Sequence, residues 1–200
     1  MTAREPGDRI TRRDMLTSLA GAILSLVGVP ALAQTRGRTA LTPWDDRFEL
    51  AVDLEINQPQ GFRSHRPYVA VWVEDSAGKP VRTLTLWVNT QGRGERYLRE
   101  LHRWFRAEQT REAAGGRDLV STISSATRLP GKYSVVWNGR DDDGKPVGQG
   151  PYTLYIEAAR EHGSYQLIRQ EITVASRPFA ATLEGNEEIR GARVEYRRKG

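Results

Sequence analysis

The sequence predicts a mainly β protein, an antiparallel β-sandwich that carries one short helix. Several short runs alternate apolar and polar residues with a period of two, the pattern of strands that bury one face. Turns that contain Gly and Pro separate these runs, and apolar residues at helical spacing occur once, over residues 96–107. Seven or more strands with a single helix fit two antiparallel sheets packed together.

Residues 1–33 have the profile of a signal peptide. Arginines precede an uncharged stretch over 15–35, and its apolar part ends at Ala31 and Ala33, small residues that a signal peptidase accommodates. We therefore predict cleavage after Ala33. The alternative is an uncleaved membrane anchor, because 21 uncharged residues could just span a bilayer.

The arginine pair Arg12 and Arg13 lies in the run TRRDML, residues 11–16. This run resembles the twin-arginine export motif, in which a polar residue and two arginines precede a variable residue and two apolar ones. The resemblance implies export of a folded protein by the twin-arginine machinery. The predicted location is periplasmic.

The mature chain begins with residues 34–44, which have no period and are predicted to be a flexible lead-in. Residues 48–56 alternate strictly and predict a strand. The β-rich runs 68–74 and 81–88 flank a Gly/Pro turn and predict a hairpin.

A helix is predicted over residues 96–107. Its apolar stripe consists of Tyr97, Leu98, Leu101, Trp104 and Phe105, with arginines and glutamates outside it. We expect the stripe to pack on a sheet. The polar connection 107–128 is long enough to be either disordered or functional.

Strands resume over 133–137, 152–158 and 165–174. We predict a sandwich domain over residues 45–185, followed in residues 186–200 by a last strand and a frayed basic tail.

Charge and cysteine content narrow the function classes. The formal net charge is +5, a small basic excess that does not indicate nucleic-acid binding, so no nucleic-acid partner is expected. The chain has 0 cysteines, which excludes disulfides, thiolate zinc sites and cysteine catalysis within it.

Residues 130–158 contain a tryptophan, a glycine-rich turn and a tyrosine in a fixed order. The positions are Trp137, Asn138, Gly139, Asp141, Gly144, Gly150 and Tyr152. This segment resembles the immunoglobulin-like module of flagellar hook-capping proteins. The resemblance implies an immunoglobulin-like sandwich in which Trp137 and Tyr152 fill the core on adjacent strands. It concerns fold and not function.

A larger part of the chain, from about residue 66 to residue 165, includes RPYVAVWVED, YLRELHRW, SATRLPGKY and WNGRDDDG. These segments resemble the uncharacterised family of predicted periplasmic proteins numbered 2271 among the domains of unknown function. The resemblance implies association with membrane proteins carrying peptidase-propeptide-like domains and with flavin transferases. It thus places the chain near an extracytoplasmic redox or iron-related system.

The end of the connection, with Ser124 and Thr127, resembles the acceptor motif for covalent flavin mononucleotide. By that resemblance Thr127 would carry the flavin phosphate. Ser121 stands where the motif has Asp, and Ser125 where it has Gly. The alternative is a Ser/Thr-rich loop that closes onto the sandwich.

Other candidate sites are weaker. The three histidines His65, His102 and His162 lie in different predicted elements, so no metal-ligand spacing exists. His162 is a weak candidate for a metal ligand, or for an enzymatic group acting with Glu161 or Glu157, and the alternative is a surface hairpin. The acidic run 141–143 lacks the last ligand of a calcium loop and predicts a solvated turn. With no catalytic motif, we expect a non-enzymatic binding or accessory module.

Overall fold

The computed structural model describes residues 41–58, 65–90, 94–161 and 163–200. The predicted export signal with Arg12, Arg13, Ala31 and Ala33, most of the predicted lead-in, and His162 lie outside these residues. No helix within the described ranges is long and apolar enough to span a membrane.

Strands dominate the described chain. In order they are β1 (Phe48–Ile56), β2 (Tyr68–Asp75), β3 (Pro80–Trp87), β4 (Ser124–Ser125), β5 (Gly131–Trp137), β6 (Gly150–Ala159), β7 (Tyr165–Val174), β8 (Phe179–Glu184) and β9 (Ile189–Arg198). Between β3 and β4 lie a 3-10 helix (Gly94–Glu100), α1 (His102–Ala113) and the single turn α2 (Val120–Ile123).

The strands form two sheets. A four-stranded sheet has the order β5-β1-β9-β8, and a five-stranded sheet has the order β4-β3-β2-β6-β7. All pairs are antiparallel except β3 with the two-residue strand β4. The predicted mainly β fold with mostly antiparallel sheets is confirmed.

The larger apolar core joins the two sheets. Strand β1 buries its even-numbered residues from Phe48 to Ile56 as predicted, and Ala51 on the other face is buried as well. Trp137 on β5 meets Tyr152 on β6 at 5.2 Å between ring centroids, with the rings at 81°. These two residues fill the core, but their strands belong to different sheets. The expectation of adjacent strands is therefore wrong, because the contact crosses the core.

A second apolar cluster lies on the opposite face of the five-stranded sheet, beneath the helices. It contains Tyr68, Ala70, Trp72, Leu86, Val88, Leu98, Leu101, Trp104, Tyr155 and Ala159. Strand β2 is consequently buried on both faces from Tyr68 to Glu74. The predicted helical stripe does pack on a sheet.

Three boundaries differ from the sequence prediction. The helix expected over 96–107 is divided at Leu101, and α1 continues to Ala113. In the described end of the predicted lead-in, Trp44 is only 6% exposed and its Nε1 donates to the Phe48 carbonyl at 3.1 Å. The last strand expected within residues 186–200 runs as β9 from Ile189 to Arg198, and it therefore includes the first two residues of the basic end.

Candidate functional site

The predicted flavin acceptor lies at the edge of the five-stranded sheet. Ser124 and Ser125 form β4, which pairs in parallel with Leu86 and Trp87 of β3. The Ser124 hydroxyl is 2.9 Å from the hydroxyl of Thr90. Ser124 is thus held by the sheet and by a neighbouring side chain.

Thr127 follows in the irregular segment 126–129. Its side chain is half-buried, whereas Ala126 and Arg128 beside it are exposed. The Arg128 guanidinium lies over the Trp87 ring, 5.7 Å from its centroid. Thr127 is therefore adjacent in sequence to a cationic residue, in a segment without regular backbone pairing.

A carboxylate lies near the acceptor segment despite the missing motif residue. The Ser121 backbone N–H donates to Asp118 Oδ1 at 3.1 Å, and hydrogen bonding by Ser121 lowers the pKa of Asp118. Sequence reasoning missed Asp118, because it stands three residues before the motif position. The turn of α2 brings the two together.

The second predicted site falls at the β6–β7 hairpin end. His162 lies outside the described residues, so its candidacy stays a prediction. Glu161 lines a cleft of about 640 Å³ together with Arg96, Tyr97 and Phe105. Glu157, the other suggested partner of His162, is 0% exposed and has a different role.

Glu157 closes the amino-terminal end of α1. Its Oε2 accepts the Trp104 N–H at 2.7 Å, and its Oε1 accepts the Arg103 N–H at 2.8 Å. The first turn of a helix has N–H groups without helical partners and attracts negative charge. Leu101, at the cap position, cannot supply an oxygen from its side chain. A carboxylate from β6 does so instead.

Tyr165 completes the environment of that carboxylate. Its hydroxyl donates to Glu157 Oε1 at 2.8 Å, and its ring stacks on His102 at 5.1 Å between centroids. Burial, followed by the bond to Glu157, raises the pKa of the Tyr165 hydroxyl well above its usual value. The hydroxyl, which is protonated at neutral pH in any case, therefore keeps its proton and its donor role into the alkaline range.

Glu74 on β2 is a second buried carboxylate beneath α1, at 1% exposure. It accepts from Trp72 Nε1 at 3.0 Å and from the Arg103 guanidinium at 2.5 Å. The guanidinium also lies 5.0 Å from the Tyr155 ring centroid. Arg103 was predicted to lie outside the buried stripe; it reaches the sheet because its long side chain can fold under the helix.

Two further buried carboxylates hold other segments. Glu108 accepts two hydrogen bonds from the Arg111 guanidinium, one from Nε at 2.7 Å and one from Nη2 at 2.6 Å. Glu188 accepts from Arg160 at 2.6 Å and from the Ser164 hydroxyl. Each has a charged partner, as buried carboxylates require.

The acidic turn after β5 is only partly solvated. Asp141 Oδ1 accepts the N–H groups of Asp143 and Lys145, as in a polar turn. Asp142 points inward instead, with its side chain 10% exposed, and its Oδ1 accepts the Thr83 N–H at 3.0 Å. Burial raises the pKa of Asp142 to about 6. The sequence of three consecutive aspartates does not by itself indicate which of them is buried.

The described ranges contain no group of three or more His, Asp or Glu side chains that could hold a metal ion.

The comparisons with known proteins agree with the predicted location. The family model described as "Predicted periplasmic protein (DUF2271)" matches residues 49–191, from β1 into β9. Neither the comparison with curated proteins nor that with solved structures gives a match. The family match covers well over half of the chain, and the chain therefore belongs to this family of predicted periplasmic proteins.

Proposed function

We propose that the protein is an exported, non-enzymatic binding or accessory module of the periplasm that works beside a membrane redox or iron-related system. The family description supports the location. The resemblance of residues 66–165 to the family numbered 2271 supports the redox setting. The resemblance of residues 11–16 to the twin-arginine motif supports the twin-arginine machinery as the export partner of the protein. The immunoglobulin-like character of the sandwich belongs to the same proposal, supported by the two mostly antiparallel sheets that enclose one apolar core.

The observation that carries the non-enzymatic part is the use of Glu157. A catalytic carboxylate needs access to a substrate. Glu157 is fully buried, and both its oxygens accept bonds from the first turn of α1 or from Tyr165. The other buried glutamates likewise bond to arginines that hold helix or loop in place. These carboxylates therefore have a structural role: they stabilise the scaffold that would carry a binding surface.

Export is tested with a reporter fused after Arg36. The double change Arg12→Lys with Arg13→Lys is expected to leave the reporter in the cytoplasm, because the twin-arginine pathway reads the guanidinium pair. The matched control changes Arg4 and Arg9 to Lys, which preserves charge and leaves the pair intact. Equal export of both variants would contradict this route.

The second candidate function is electron transfer by flavin mononucleotide attached to Thr127. The placement of Thr127 favours it: the segment is irregular, flanked by exposed residues and next to Arg128, which could neutralise a phosphate. A flavin transferase would form a P–O bond from flavin phosphate to the Thr127 hydroxyl. With flavin adenine dinucleotide as donor, AMP leaves and the hydroxyl proton is released.

Co-production with a flavin transferase and intact-mass measurement tests this candidate. The expected product is heavier by flavin mononucleotide less water and absorbs visible light. Thr127→Val should abolish both signals, while Ser124→Ala, at the other hydroxyl of the motif, should retain them. A colourless wild-type protein of unmodified mass would refute the candidate and leave the accessory role unaffected.

A further inference from the structure

Strand β7 forms an open edge of the five-stranded sheet. Over its ten residues it pairs with β6, and no other described strand lies on its far side. Edge strands present unpaired N–H and C=O groups that can bind another strand. Two large apolar residues of β7, Tyr165 and Leu167, are each 40% exposed. This edge is long enough to pair with a partner strand.

The charge pattern of β7 is self-complementary. Arg169 and Glu171 lie on the same face of the strand because they are two residues apart. Their side chains are 56% and 73% exposed, and they form an ion pair with each other at 2.8 Å. Gln170 lies between them, so a twofold axis at Gln170 exchanges the positions of the two charges.

We propose that β7 is a docking edge for β7 of a second copy of this chain, paired antiparallel about a twofold axis at Gln170. In this register Arg169 lies opposite Glu171 of the second copy, twice over by symmetry. Opposite charges stabilise a directly facing cross-strand pair. The five-stranded sheets of the two copies become one continuous sheet.

Neighbouring registers are selected against by the same residues. Moving the axis to Arg169 places the two copies of Arg169 opposite each other. Moving it to Glu171 places the two copies of Glu171 opposite each other. Like charges directly opposite destabilise strand pairing. On the core-facing side, the axis at Gln170 brings Ile168, which is only partly buried against the core, opposite Ile172 of the second copy.

The first test measures mass against concentration by sedimentation, from about 1 to about 500 μM, because a single strand pair buries a small interface and binds weakly. We expect dimers at the upper end. Arg169→Glu alone and Glu171→Arg alone should each weaken the dimer by tenfold or more, and the double exchange should restore it. The matched control is Arg193→Glu, which disturbs a similar Arg–Glu arrangement with Glu195 on β9, a strand flanked on both sides.

The second test uses the absence of cysteine from the chain. Gln170→Cys places two thiols at the axis, at the separation of directly facing strand residues, and mild oxidation should give a disulfide-linked dimer. Thr173→Cys is the control, because its two copies would lie about 20 Å apart. A chain that stays monomeric throughout, a dimer insensitive to the charge changes, or equal cross-linking at both positions would overturn the proposal.

Discussion

Glu157 accepts the backbone N–H of Trp104 at 2.7 Å, so a strand residue caps a helix that is far from it in sequence. The same carboxylate binds the Arg103 N–H and the Tyr165 hydroxyl. One buried side chain thus joins α1, β6 and β7.

Replacing this carboxylate should loosen the helical layer. We expect Glu157→Ala to lower the free energy of unfolding by about 2–4 kcal/mol, because it leaves two helix N–H groups and a buried hydroxyl without a hydrogen-bond acceptor. Glu157→Gln keeps one acceptor oxygen and should cost about half as much. Denaturant unfolding measures both. Glu184→Gln, at an exposed site, is the control and should change little; an equally small effect of Glu157→Ala would contradict the capping role.

The Glu74–Arg103 pair should be costly to break from one side. Arg103→Met leaves Glu74 buried with Trp72 Nε1 as its donor, and we expect a loss of about 2–3 kcal/mol. Arg106→Met, on the same helix at an exposed position, is the matched control. Both variants remove one positive charge from α1, but only Arg103→Met breaks the ion pair with Glu74. A larger loss of stability for Arg103→Met than for Arg106→Met, measured by thermal and denaturant unfolding, is therefore the contribution of the pair.

Asp142 should make stability depend on pH. Its folded pKa of about 6 lies above its ordinary value of 3.8, so the unfolded chain releases this proton first. This contribution to stability is complete below about pH 4 and is lost as the pH rises to about 6, amounting to about 2 kcal/mol or less after screening.

Asp142→Asn removes that titration while keeping an oxygen for the Thr83 N–H. We expect the stability of the variant relative to wild type to increase between pH 4 and pH 6. Unfolding measured at intervals across this range gives the comparison. Parallel curves for the two proteins would show that Asp142 does not titrate with a raised pKa.

Gly139 and Gly144 test the packing of Trp44. Both glycines have positive φ, 77° and 80°, so alanine strains the backbone at each by about 1–2 kcal/mol. A Cβ at Gly139 would meet the Trp44 ring at 2.2 Å, whereas one at Gly144 meets nothing within 4 Å. Gly139→Ala should therefore destabilise the protein by about 2 kcal/mol more than Gly144→Ala. Equal losses in denaturant unfolding would mean that Trp44 does not pack there.

Periodicity predicted much of the fold because it reports directly on burial. The alternation of β1 and the helical stripe around Trp104 both survive in the structure. β9 carries a similar signal in Ala192, Val194 and Tyr196, which predicts a last strand, whereas its final arginines predict a frayed end. Those arginines extend over neighbouring strands, where Arg197 meets Glu49 at 2.9 Å.

The buried carboxylates could not be predicted in this way. An isolated Glu in a strand ordinarily indicates a solvent-facing position. Glu74 and Glu157 are buried because α1 covers the outer face of the sheet and supplies donors there. That information is tertiary, and local spacing does not contain it. For Thr127 the sequence supplied a resemblance, while the position of Trp87 beside Ser125 and beneath the Arg128 guanidinium became evident only from the structure.

The position of β9 has a consequence for biosynthesis. β1 emerges from the ribosome before the other described strands, yet one of its two neighbours, β9, is the last of them in chain order. The four-stranded sheet therefore stays incomplete until residues 189–198 have been synthesised, and its closure joins residues about 140 positions apart. Until then β1 has one bare edge, and a chaperone that shields an apolar strand would find its target there.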